Sequence, residues 1–153
     1  MYYSYRLVFL ALVAVNVYEN MRRLKDNMDN VHVQLQYKTV VFDFDGVIHP
    51  YTTGWQGASK IHDAPVPGVK ELLSRLNDAG LRVIIMSSRA LDSEGKKAIV
   101  NYLKEYELWG LVDSVITEKI PALVYVDDRA ICFTGKTEGL FEQIVDFKSW
   151  TDN

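Results

Sequence analysis

The chain has 153 residues, enough for one domain with a substantial core and too few for two comfortable ones. Hydrophobic residues at 48% and charged residues at 24% are ordinary globular values, and the formal net charge of −3 argues against non-specific coating of nucleic acid, although it leaves room for a local basic patch. A single cysteine, Cys132, excludes an intramolecular disulfide framework and points to a reduced, cytoplasmic setting, in which it reads as a small buried residue.

Residues 1–36 stand apart as an apolar and basic extension. Leu7 to Val17 is almost wholly apolar, with Arg6 before it and Arg22, Arg23 and Lys25 after it. Those 11 residues fall short of the roughly 20 that a membrane-crossing helix needs. Their length suits the apolar region of a signal peptide, but only Arg6 precedes them and no good small-residue cleavage site follows. Three readings stay open: a membrane-associated helix, a helix packed on the domain or on a second copy, and an upstream extension of the gene with Met28 as the true start. A helical appendage is preferred.

From Tyr37 to the end, strand and helix patterns alternate. Thr39 to Phe44 reads as the first strand, followed by a long loop, Gly46 to Pro67, rich in Gly, Pro, His and aromatic residues. A helix is predicted from about Gly68 to Ala79, with Val69, Leu72, Leu73, Leu76 and Ala79 on one face and Gly80 as its stop. Leu81 to Met86 is a second strand, nearly continuous in apolar residues, as parallel strands covered on both faces are. Ser93 to Tyr106 reads as a second helix, Val112 to Ile116 as a third strand and Leu123 to Val126 as a fourth. Glu138 to Gln143 reads as a short helix before a last strand, Ile144 to Phe147. This alternation predicts a three-layer α/β/α, Rossmann-like domain with a central parallel sheet and right-handed crossovers. Ligands of such sheets bind beyond the carboxyl ends of the strands, where the polar residues of this sequence collect.

Two aspartates, Asp43 and Asp45, close the first strand in the run VVFDFDGVIH. Side chains alternate along a strand, so both point one way while Phe42 and Phe44 point the other, with the two Cα atoms about 6.6 Å apart. Gly46 then lets the chain leave the strand. The plainer alternative for this pair alone is a solvated acidic turn. The fourth strand, however, also ends in a pair, Asp127 and Asp128, followed by Arg129. A turn capped by these aspartates, with Arg129 in a surface ion pair, is the bland reading of the second pair. Together the two pairs place several carboxylates at one sheet edge, and like charges so close resist joint ionisation. A hard divalent cation removes that penalty, and Mg²⁺ is typically held by one or two carboxylates with waters and substrate phosphate.

With these residues in view, the chain resembles the haloacid dehalogenase-like hydrolase superfamily, whose members are mostly phosphatases. VVFDFDGV is similar to the family's first motif, Ser87 in VIIMSSR to its second, Lys119 to its third and the acidic pair of VYVDDR to its fourth. The resemblance spans about Thr39 to Phe147. It implies that Asp43 attacks phosphorus to form an aspartyl-phosphate and that Asp45 serves as general acid and then general base. It further implies that Ser87 binds a phosphoryl oxygen and that Lys119 neutralises charge there. Mg²⁺ would be held by Asp43, the backbone carbonyl of Asp45, and Asp127, with Asp128 assisting. Arg89 is offered either as a clamp on substrate phosphate or as a partner for a helix-end carboxylate. The presence of Asp45 disfavours dehalogenation, because the dehalogenases of the superfamily lack that acid.

No large cap domain fits between the motifs, so the resemblance is to the capless group, whose open sites often accept large substrates or are closed by a neighbouring subunit. The loop after Asp45 brings His49, Tyr51, Trp55 and His62 to the site. Trp55 or Tyr51 offers a stacking surface for a base or sugar, or packs the loop onto the domain; His49 offers a phosphate contact, or none. The motif set also resembles the phosphatase module of polynucleotide kinase-phosphatases, which carry a similar DDR segment. Nucleotides, nucleic-acid end phosphates and small phosphorylated metabolites are therefore all expected as substrate classes. A homo-oligomer and membrane contact through residues 7–17 are left open. The competing readings of function are a catalytically idle phosphate- or Mg²⁺-binding module and a phosphotransferase with an acceptor other than water.

Overall fold

The computed structural model describes residues 15–31 and 38–152, and the chain divides into two units, Met1–Tyr37 and Lys38–Asn153. In the first unit, residues 15–31 form helix α1, exposed along its whole length. Asn20 Nδ2 donates to Asn16 Oδ1 at 2.9 Å, a bond between neighbours one turn apart. Of the apolar run Leu7 to Val17, residues 7–14 lie outside the described residues and 15–17 belong to α1. Among the described residues, no helix is long and apolar enough to cross a membrane.

The second unit is built on four strands: β1 (Thr39–Asp43), β2 (Arg82–Met86), β3 (Ser114–Ile116) and β4 (Val124–Val126). All pair in parallel in the order β3-β2-β1-β4, giving the α/β/α, Rossmann-like class that the alternating pattern predicts. The apolar runs of β1 and β2 place them at the centre. Val40 and Phe42 lie in register with Val83 and Ile85 and face a core shared with helices α2 (Val69–Asp78) and α3 (Ser93–Glu105). Val69 and Leu73 of α2 and Ile99, Tyr102 and Leu103 of α3 enter that core. Val41 and Ile84, on the reverse side of the same strands, are also buried. A strand covered on both sides reads as a continuous apolar run for this reason.

Several expectations need correction. The first strand ends at Asp43, one residue early, because Phe44 turns away: its carbonyl accepts from the backbone N–H groups of Val47, Ile48 and His49. Leu72 and Ala79 of the predicted α2 face are exposed, and Val69, Leu73 and Leu76 make its inner side. The predicted last strand, Ile144 to Phe147, does not form; Leu140–Val145 is helix α4. A short apolar run with two β-branched residues suits either state, and periodicity alone does not separate them. Cys132 is exposed rather than buried.

Candidate active site

The carboxyl ends of β1 and β4 lie side by side, since Phe42 pairs with Val126. The next residues, Asp43 on one strand and Asp127 and Asp128 on the other, therefore leave the sheet together. One carboxylate oxygen from each of these three aspartates comes within 4.8 Å of the others. The close approach of the two segments depends on Gly46. Its φ of +85° is a left-handed conformation, and a Cβ there would run into the Asp128 carboxylate.

Each member of the trio is fixed by its own bonds. Asp43 Oδ1 accepts from the backbone N–H of Phe44 at 2.7 Å, and Asp127 Oδ1 accepts from that of Arg129 at 2.7 Å. The Asp128 side chain is almost fully buried, with one oxygen accepting from Ser149 Oγ and the other without any partner. Burial pushes the Asp43 carboxyl up to about 7, and the neighbouring Asp127, Asp45 and Asp128 charges push the same way against the Phe44 hydrogen bond. A buried carboxylate oxygen with an open lone pair, next to a carboxyl that resists ionisation among like charges, is the donor set that a hard cation such as Mg²⁺ fits.

Asp45 goes elsewhere. Because the chain has left the strand, its carboxylate does not join the trio. Oδ2 accepts from Arg89 Nε at 2.5 Å and Oδ1 lies 2.9 Å from His49 Nδ1. Burial works to raise the Asp45 carboxyl, but His49 and Arg89 together hold it below the usual aspartate range. Arg89 is buried and also donates through Nη1 to the carbonyls of Gly57, Ala58 and Lys60, at 2.9, 3.1 and 3.0 Å. Its guanidinium lies 4.6 Å from the Trp55 ring and 5.8 Å from that of Tyr51. Arg89 thus ties Asp45 to the long loop, and the free phosphate clamp offered by the sequence is replaced by a bracket with only Nη2 unpaired. His49 is likewise unavailable as a phosphate contact: it is buried, and its Nε2 faces Asp63 Oδ2 at 3.4 Å.

Ser87 stands at the end of β2, next to β1. It is buried, its backbone N–H donates to the Ile116 carbonyl at 3.0 Å, and its Oγ accepts from the backbone N–H of Arg89 at 3.2 Å. Lys119 is the member not brought in. It is exposed, with Nζ 4.7 Å from the Tyr125 ring centre, and it makes no ion pair with the trio. Trp55 is 57% exposed beside Arg89, and His62 is exposed in the same loop.

Two participants come from the end of the chain and carried no signal in the sequence. Ser149 is fully buried against Asp128, and Trp150 Nε1 donates to the Gly46 carbonyl at 2.7 Å. A single serine and tryptophan after a short helix have no spacing that marks them, and only the folded chain brings them to the first motif.

No family model matches the chain, and no curated protein does. Among solved structures, one described as a conserved protein from Bacteroides thetaiotaomicron is similar, at 22% identity and a TM-score of 0.44, over 74% of this chain and 94% of that one.

Proposed function

We propose that this chain is a Mg²⁺-dependent phosphomonoester hydrolase of the haloacid dehalogenase-like type. One observation carries the reading above the others: Asp43, Asp127 and Asp128 converge at the ends of two adjacent parallel strands, with one buried Asp128 oxygen left open. Asp43, Asp127 and Asp128 would hold the ion, which when bound offsets the repulsion between carboxylate and phosphate and stabilises charge on the transferring group.

The chain's own residues supply the rest. An Asp43 oxygen attacks phosphorus, the ester P–O bond breaks, and the leaving oxygen takes a proton from the minor fraction of Asp45 that is protonated, since His49 and Arg89 hold this carboxyl mainly ionised. Water then attacks the aspartyl-phosphate, giving its proton to Asp45 and releasing inorganic phosphate and the Asp43 carboxylate. Ser87, at the end of β2 beside β1, would donate to a phosphoryl oxygen. Trp55 offers an exposed ring next to the site, which favours substrates with a base or sugar; nucleotides, nucleic-acid end phosphates and small phosphorylated metabolites all carry the required group.

Lys119 favours a second reading. With no cation facing Asp43 among the described residues, an idle Mg²⁺- or phosphate-binding module has one specific support, and a transfer to an acceptor other than water uses the same aspartates. Phosphate release separates these readings. The panel comprises nucleotides, sugar phosphates and a 3′-phosphorylated oligonucleotide, with and without Mg²⁺. Hydrolysis predicts Mg²⁺-dependent release that Asp43→Asn abolishes. Folded protein that binds Mg²⁺ and releases no phosphate from any member would count against it.

A further inference from the structure

The exposed surface of helix α1 is patterned. Val17, Met21, Leu24, Met28 and Val31 are each more than half exposed, at successive spacings of four, three, four and three residues. That alternation is a 3.5-residue repeat, which keeps one apolar seam turned toward a partner helix. In heptad register Met21 and Met28 occupy position a, and Val17, Leu24 and Val31 occupy d. The charges respect the same register: Glu19 and Asp26 fall at f, Arg22 and Asp29 at b and Arg23 at c, all away from the seam, with Lys25 alone beside it at e. Tyr18 flanks the seam at e, and Val15 at b is the one large apolar residue off it. Within the described residues the repeat therefore covers about two heptads, from Val17 to Val31.

We propose that α1 is a self-association helix and that the α1 of a second copy occupies its seam as a coiled coil. Two features select a copy of this chain over a lipid surface. Glu19, Asp26 and Asp29 balance Arg22, Arg23 and Lys25, so α1 has no net charge: two copies do not repel, and an anionic membrane has no basic face to attract. The apolar stripe in the described residues is also confined mainly to a and d, the narrow seam of a coiled coil rather than the broader face with which a helix packs on a globular core. A second copy supplies the matching period by identity.

The test is the solution mass of the full chain by size exclusion with light scattering, across a concentration series. The variants are a Met21→Glu, Leu24→Glu double substitution, Met28→Lys as a milder change at the seam, and Arg23→Glu as an outward-facing control. Wild type and the control are expected to associate, the double variant to be monomeric with a folded circular dichroism spectrum, and Met28→Lys to need about tenfold more protein for half-association. Wild type that stays monomeric throughout overturns the proposal, whether or not it then binds phosphatidylcholine–phosphatidylserine vesicles. Association unaffected by either seam variant also overturns it, and Met28→Lys decides the matter if the double variant does not fold.

Discussion

Arg89 Nε donates to Asp45 Oδ2 at 2.5 Å, and the same guanidinium reaches three backbone carbonyls of the loop that follows Asp45. One buried side chain therefore joins His49 in holding an aspartate ionised and also fixes the course of the loop that follows it. Gly95 belongs to the same arrangement, since a Cβ there would strike the Arg89 carbonyl; α3 approaches the turn that carries Arg89 because this position has no side chain.

Arg89→Ala is expected to destabilise the domain by about 3–5 kcal/mol, the range for removing one partner of a buried ion pair and leaving the other uncompensated. Arg89→Lys recovers only a small part, because an ammonium cannot bond Asp45 and the loop carbonyls from one planar fork. Urea denaturation followed by tryptophan fluorescence gives both values. A lysine variant as stable as wild type would show that charge alone matters at this position.

The Asp43 carboxyl sets a pH dependence whose sign is fixed by its direction of shift. Its folded value, about 7, lies above the ordinary 3.8, so its contribution to metal-free stability is full below about 4 and is lost as pH rises through 7. Calorimetric melting of the metal-free protein should fall between about pH 4 and pH 7, by several degrees more in wild type than in Asp43→Asn. Mg²⁺ should restore melting at the upper end and bind more tightly as pH rises, because a proton must leave for the ion to enter. Equal slopes in the two proteins would remove Asp43 from the account.

Gly46→Ala combines a side chain at φ +85° with a collision against Asp128. The backbone strain alone costs about 1–3 kcal/mol. The distinctive expectation is a second effect: Mg²⁺ affinity falls with stability, because the displaced group is a proposed ligand. Calorimetric Mg²⁺ titration at a temperature where the variant is fully folded reads it directly, and unchanged affinity would dissociate Asp128 from the ion.

Asp45 is held ionised by Arg89 and His49, ready as a base but reluctant as an acid. Release from a series of aryl phosphates should therefore quicken steeply as the leaving phenol becomes more acidic, and simple alkyl phosphates should be slowest. A flat dependence would mean that Asp45 protonates the leaving oxygen fully in spite of its two partners.

The parts of this protein legible in its sequence share a physical cause. β1 and β2 are continuous apolar runs because both faces are covered, and carboxylates directly after such runs mark a sheet edge where ligands collect. Asp43, Asp127 and Asp128 are found that way, whereas Ser87 is reached only through the resemblance to the family's second motif. Asp45 illustrates the limit: strand alternation places it beside Asp43 only while the strand continues, and the turn at Phe44 ends it. Its partners could not be found from spacing, since Arg89 lies 44 residues away and the bond depends on a buried guanidinium finding a carboxylate in the folded chain. Ser149 and Trp150 were hidden for the same reason. The Ile144 to Phe147 segment failed differently, because four apolar-rich residues do not carry enough period to choose between strand and helix.

The claim that Asp43 is the nucleophile is tested most directly by acid-quenching the protein during turnover of its best substrate with Mg²⁺ and mapping its peptides by mass spectrometry. A phosphoryl group is expected on the peptide containing Asp43 and is expected to be absent from Asp43→Asn, which also fails to turn over. Phosphate release that survives Asp43→Asn, or a phosphoryl group found on another residue, would contradict it.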